Sequence, residues 1–152
     1  MWEDFPILIA EDNPDDAKLL EAAIRRAGMN NKLCFVEDGY EAIDYLQGNG
    51  RYANRLEFPW PRIIISDIKM PRLNGLELLD WLHQHPECRI IPTVLMSGSA
   101  LEGDVEKAYY LGANSYFRKP TTLDELTDLM RTLHDYWSKS EVPFQAANTT
   151  DY

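Results

Sequence analysis

Arg62-Ile63-Ile64-Ile65-Ser66-Asp67-Ile68-Lys69-Met70-Pro71 runs three isoleucines into a carboxylate and stops at a proline. An unbroken β-branched run bounded by turn residues reads as a strand buried on both faces. Such a strand needs helices on both sides, which predicts an α/β fold around a parallel sheet. Asp67 falls where the strand emerges at its carboxyl edge. One acid there carries little weight, because Asp is common in loops and caps. Its meaning depends on how the other strands end.

Outward from this stretch, strand and helix signals alternate. Ile7–Ala10 is a short apolar run ending in Glu11-Asp12. Asn13-Pro14-Asp15-Asp16 then starts a helix, with a capping Asn, Pro at the first helical position and acids in the first turn; Gly28 closes it. Lys32–Val36 is a second strand, and Asp38-Gly39-Tyr40-Glu41 opens a second helix with a capping-box pattern. Residues 51–61 carry Tyr52, Leu56, Phe58 and Trp60, with Pro59 and Pro61 forbidding regular structure near the end. They are expected to extend the second helix and then form a covering loop. Asn74-Gly75-Leu76-Glu77 caps a third helix, which His83, His85 and Pro86 end. Ile90–Met96 is a fourth strand leading to Ser97-Gly98-Ser99, and Ser99 with Glu102 box-caps a fourth helix. Ser115–Phe117 is a fifth strand, leading to Arg118-Lys119-Pro120. Thr122 caps an amphipathic last helix carrying Leu126, Leu129, Met130 and Leu133.

The 152 residues fit one domain with a real core, read as residues 1–140 followed by a polar tail at 141–152. Val142, Pro143 and Phe144 are the tail's only apolar anchors. Fifteen basic and 25 acidic residues leave a net charge of −10, which argues against a nucleic-acid phosphate footprint. Cys34 and Cys88 read as reduced, packed thiols of a cytoplasmic protein. The N-terminus shows no basic signal-like region. No apolar run approaches the roughly 20 residues that a membrane span needs.

In open α/β sheets, ligands bind beyond the carboxyl ends of the strands. Here those ends carry Glu11-Asp12, Asp67, Ser97 and Lys119, so one crevice gathers three carboxylates, a hydroxyl and an ammonium. The carboxylates repel one another and need a counter-charge. A divalent cation supplies it, and all-oxygen ligation suits Mg2+. Lys119 then serves phosphate oxygens as a compact charge, Ser97 donates a hydrogen bond, and Asp67 is left as a nucleophile able to form an acyl phosphate.

These residues carry a family resemblance. From about Phe5 to Trp137 the chain resembles the receiver domain of two-component response regulators. The matching positions are Glu11-Asp12, Asp67 with Met70-Pro71 and Gly75, Ser97, and Lys119-Pro120, in the same order. The resemblance implies a flavodoxin-like (βα)5 doubly wound five-stranded parallel sheet with strand order 2-1-3-4-5. It implies Asp67 as phosphoacceptor from a sensor histidine kinase or phosphotransfer protein. It implies Mg2+ held by Asp12, Asp67, the Lys69 carbonyl and, largely through water, Glu11. Ser97 and Tyr116 are then a switch pair that reshapes the face of the fourth helix, fifth strand and fifth helix. A narrower likeness joins Arg51-Tyr52-Ala53-Asn54, Tyr136-Trp137 and Pro143 to single-domain regulators that partner bacterial phytochromes and dimerise through that face.

The chain departs from the family at several positions. Ser97 stands where Thr is commoner, Gly98 replaces the usual Ala and opens access to the acyl phosphate, and Thr121 replaces a frequent aromatic. Lys69 and Ser99 occupy variable positions that tune phosphoryl lifetime. Two other readings compete. A dehalogenase-type Asp-nucleophile phosphatase needs a second acid two residues after the first, where this chain has Lys69. A phosphorylation-independent binding module on the same fold typically lacks one of the acids or the lysine; all are present.

Overall fold

The computed structural model describes residues 2–98 and 102–143. Five parallel strands lie in the order β2-β1-β3-β4-β5: β1 Ile7–Ala10, β2 Leu33–Val36, β3 Ile63–Asp67, β4 Thr93–Ser97 and β5 Ser115–Arg118. The helices between and after them are α1 Pro14–Arg26, α2 Gly39–Gln47, α3 Gly75–Gln84, α4 Glu102–Tyr110 and α5 Leu123–Lys139. A short 3-10 turn, Trp2–Asp4, precedes β1. The flavodoxin-like order expected from the resemblance is the one observed.

Strand periodicity divides the core into two layers. Ile7, Ile9, Ile63, Ile65, Val94 and Met96 pack on one face with α1 and α5 through Leu20, Ile24, Leu126 and Met130. Leu8, Ile64 and Leu95 pack on the other with α2 and α3 through Ala42, Leu46, Leu78 and Leu82. The isoleucine run of β3 therefore feeds both layers, which is why no polar residue interrupts it.

The helix starts behave as their sequences dictate. Asn13 Oδ1 accepts hydrogen bonds from the Asp15 and Asp16 amides at the start of α1. Asn74 and Glu77 form a full capping box on α3, and Thr122 caps α5. The cap expected from Ser99 lies outside the described residues, as does the Phe144 anchor.

Two expectations need correction. Residues 51–61 do not extend the second helix. Gly48 and Gly50 adopt left-handed φ values of 70° and 55°, which end α2 and allow only a single 3-10 turn, Gly50–Ala53. The expected cover does form. Tyr52 and Trp60 are buried, Tyr45 donates to the Pro59 carbonyl at 2.6 Å, and Arg55 donates to the Leu46 carbonyl at 2.9 Å, satisfying the end of α2. The fourth strand begins at Thr93 rather than Ile90, because Pro86–Arg89 coil into one more helical turn and Pro92 precedes the ladder.

Gly75 is set by close approach. A Cβ there would lie 2.2 Å from the Asp67 carbonyl oxygen, and the Gly75 amide donates to the Ile68 carbonyl at 2.8 Å. Gly75→Ala is expected to cost about 1–3 kcal/mol through overpacking of backbone against backbone, read as a lower urea midpoint.

Candidate functional site

The site lies at the β1/β3 switch point, where strand order reverses. Register assembles it. Ala10 pairs with Ser66, so Glu11 emerges beside Asp67. Asp67 pairs with Met96, and Ser97 with Arg118, so Ser97 and Lys119 emerge on the other side. The Lys119 amide donates to the Ser97 carbonyl at 2.7 Å, locking the two loops together. Asp67 has the strand parity of Ile63 and Ile65, and Lys119 that of Phe117; all three apolar residues face the α1/α5 layer.

Carboxylate oxygens of Glu11, Asp12 and Asp67 lie within 4.8 Å of one another. Glu11 is buried and Asp12 exposed. Lys119 Nζ donates to Glu11 Oε2 at 2.6 Å, Asp67 Oδ2 at 3.1 Å and Asp16 Oδ2 at 3.1 Å. Asp67 Oδ1 accepts from the Ile68 amide at 2.7 Å, and Glu11 Oε1 from the Asn13 amide at 3.1 Å. Three carboxylates thus share one ammonium, and the Asp12 carboxylate stands beside two of them.

Titration follows from that imbalance. Burial pushes the Glu11 carboxyl above its ordinary value of 4.5, and Asp67 adds to the rise, against the opposing Lys119 hydrogen bond. Burial alone would lower Lys119, but its hydrogen bond to Glu11 and the charges of Asp67 and Glu11 hold it above its ordinary value of 10.5. The ammonium stays charged, and the crevice keeps an excess of negative charge. Hard oxygen donors at this spacing fit a small divalent cation that retains some of its water.

Ser97 is buried, and Leu95 pairs with Tyr116, so Ser97 and Tyr116 share the sheet face away from α1 and α5. Tyr116 packs against that core layer, and its amide donates a hydrogen bond to the Tyr109 hydroxyl at 3.3 Å. The Lys69 side chain is exposed on a cavity that Asp12 and Met70 also line. A Cβ on Gly98 would meet nothing within 4 Å, so the approach past it is open. Ser99 lies outside the described residues.

Two groups went unrecognised in the sequence. Asp16 reads there as an ordinary first-turn helix acid, yet it reaches Lys119; only its place one helical turn beyond Asp12 hinted at this. Arg72, at a φ of 65°, grips the buried Asp38 through Nε at 2.8 Å and Nη2 at 2.6 Å, clamping the loop after β3 to the start of α2. No local signal pairs those two residues.

Fold and site together define an open, doubly wound α/β protein with a cation-type acidic crevice at its switch point. The chain belongs to the response regulator receiver domain family, whose sequence model matches residues 7–131. It is 30% identical over 131 residues to the response regulator Rcp1 of Synechocystis sp., covering 86% of this chain and 87% of that protein. The crystal structure of the phosphorylated cyanobacterial phytochrome response regulator RcpA superposes with a TM-score of 0.84 at 30% identity, covering 93% of this chain and 99% of that one. The Mn2+-bound form of Rcp1 superposes with a TM-score of 0.82 at 29% identity, covering 92% and 99%. The expected likeness to phytochrome regulators is therefore found. Among the described residues no helix is long and apolar enough to cross a membrane.

The raised Glu11 carboxyl sets a pH dependence. Its proton is held more tightly in the folded chain than in the unfolded one, so stability falls as pH rises from 4.5 through the folded value. Glu11→Gln removes that dependence. In chelator, at neutral pH, it is expected to be at least as stable as the parent by urea denaturation.

Proposed function

We propose that this protein is a phosphorylatable signalling switch with Asp67 as phosphoacceptor. The observation that carries this reading is the convergence of Glu11, Asp12 and Asp67 within 4.8 Å, with Lys119 Nζ 3.1 Å from Asp67 Oδ2. An Asp67 oxygen attacks phosphorus, the bond to the donor breaks, and the donor leaves with the electron pair. Lys119 offers its ammonium to the phosphoryl oxygens, and Ser97 its hydroxyl.

Asp12, Asp67, the Lys69 carbonyl and Glu11, the last through water, would hold Mg2+. When bound, the cation neutralises charge on the transferring group. That the relative Rcp1 has a Mn2+-bound form supports a divalent ion as the partner of these carboxylates. The oxygen donors here suit Mg2+ equally well.

The donor is a sensor histidine kinase of the phytochrome type, or a phosphotransfer protein, in the cytoplasm. The similarity to phytochrome response regulators supports this choice. Phosphorylation draws Ser97 inward, Tyr116 turns into the space, and the α4-β5-α5 face changes, including its capacity to form a homodimer. Gly98, Lys69 and Ser99 tune the lifetime of the phosphoryl group. The protein signals rather than turning over a substrate. The receiver unit spans residues 1–140, with 141–152 as a tail.

Incubation with acetyl phosphate and Mg2+ is expected to add one phosphate by intact mass, with none on Asp67→Asn and none in chelator. Absence of any adduct with acetyl phosphate and with a cognate kinase would refute the reading. Lys119→Ala is expected to slow adduct formation about a hundredfold, the scale of losing one placed charge-stabilising donor.

A further inference from the structure

The third partner of Lys119, Asp16, is neither the phosphoacceptor nor one of the cation ligands. Asp16 stands in the first turn of α1 with its side chain 44% exposed, against 4% for Glu11 and 11% for Asp67. Its Oδ2 is 3.1 Å from Lys119 Nζ, as close as Asp67. An ammonium has three protons. Glu11, Asp67 and Asp16 take one each, so the three acceptors fix the orientation of Nζ.

These acceptors differ in one respect. Glu11 and Asp67 belong to the carboxylate group whose oxygens converge within 4.8 Å, and Asp16 does not. Any cation taken by that group draws on Glu11 and Asp67 and weakens their hold on Lys119. A phosphoryl group on Asp67 occupies one of its oxygens. Asp16 is untouched by both events.

Lys119 also has somewhere else to go. A cavity of about 310 Å3 opens beside it, lined by Asp16, Gly98, Lys119, Pro120 and Thr121 among others. Gly98 puts no side chain into it, and Thr121 is smaller than an aromatic. Lysine's four-carbon stem is flexible, and the ammonium is strongly hydrated. Without a tether on its outer side, Nζ would be drawn toward solvent in that cavity.

We infer that Asp16 is a positioning residue, a cation-independent tether that keeps the Lys119 ammonium aimed at Asp67 when the other two carboxylates are engaged. The inference rests on the phosphoacceptor reading. It predicts that Asp16 acts on phosphorylation only through Lys119. The opposing expectation is electrostatic: an acid beside the site repels anionic donors, and removing it speeds the reaction.

The test is a double-mutant cycle of Asp16→Ala and Lys119→Ala, following acetyl phosphate adduct formation at saturating Mg2+. Asp16→Ala alone is expected to slow the reaction about tenfold, the lower end of what losing an orienting partner costs at metal sites. In the Lys119→Ala background it is expected to change nothing. Asp16→Asn keeps an acceptor oxygen and is expected to recover most of the loss. Asp16 is partly exposed at a helix start, and circular dichroism checks that each variant folds.

A second readout needs no phosphate. At saturating Mg2+, which engages the other two carboxylates, the Lys119 ammonium 1H–15N resonance, assigned by its loss in Lys119→Ala, is expected for the wild type and is expected to be lost to solvent exchange in Asp16→Ala. An unchanged or faster reaction in Asp16→Ala overturns the tether, as does an equal loss in both backgrounds. If the wild type takes no phosphate, the phosphoacceptor reading falls. The ammonium resonance then decides the tether separately, and its persistence in Asp16→Ala overturns it.

Discussion

Repulsion between carboxylates at the β1/β3 switch point is the constraint on which the rest of the structure depends. Two charges at the spacing of Glu11 and Asp67 oppose each other by about 3–4 kcal/mol at an effective dielectric of about 20. Such a pair persists only where a cation is built in. Lys119 is that cation, reaching across from the loop after β5 to acids at the ends of β1 and β3. The ion pairs join the outer part of the sheet to its centre, so the acidic crevice and the sheet assembly share the same contacts.

The backbone is arranged to hold this cluster in place. Parallel register brings Glu11 beside Asp67 and ties the Lys119 amide to the Ser97 carbonyl. The loop after β3 is held twice, by the close approach of Gly75 to Asp67 and by the Arg72 grip on Asp38. Asp38 also accepts from the Glu41 amide at 2.8 Å as the cap of α2, so one buried carboxylate serves both a helix start and a site loop. Rigid support of this kind lets a local charge change act on a packed element rather than dissipate in a loose loop.

The segment between α2 and β3 shows how packing settles what local pattern leaves open. Its aromatic residues are compatible with a longer helix or a covering loop, and its prolines exclude a helix only near the end. Two left-handed glycines decide for the loop. Tyr45, Tyr52 and Phe58 then cluster, with ring centroids 5.0 Å apart between Tyr52 and each of the other two, while Leu56 remains 94% exposed. Arg51 binds Glu41 and the Tyr52 hydroxyl at 3.0 and 2.6 Å, pinning the turn to α2.

By itself the sequence determined the elements and their chemistry. The isoleucine run of β3, the caps at Asn13, Asn74 and Thr122, and the polar residue ending each functional strand are local signals, legible because side-chain period and cap chemistry repeat within a few residues. Family likeness added the strand order. Only the tertiary structure decided which acids share the ammonium, because Asp16 and Lys119 are 103 residues apart and meet where α1 packs against α5, next to the loop after β5. The same holds for Arg72 with Asp38 and for Gly75 against Asp67. Asp67 needed both: the strand explains why an acid emerges there, and the assembled crevice explains what that acid faces.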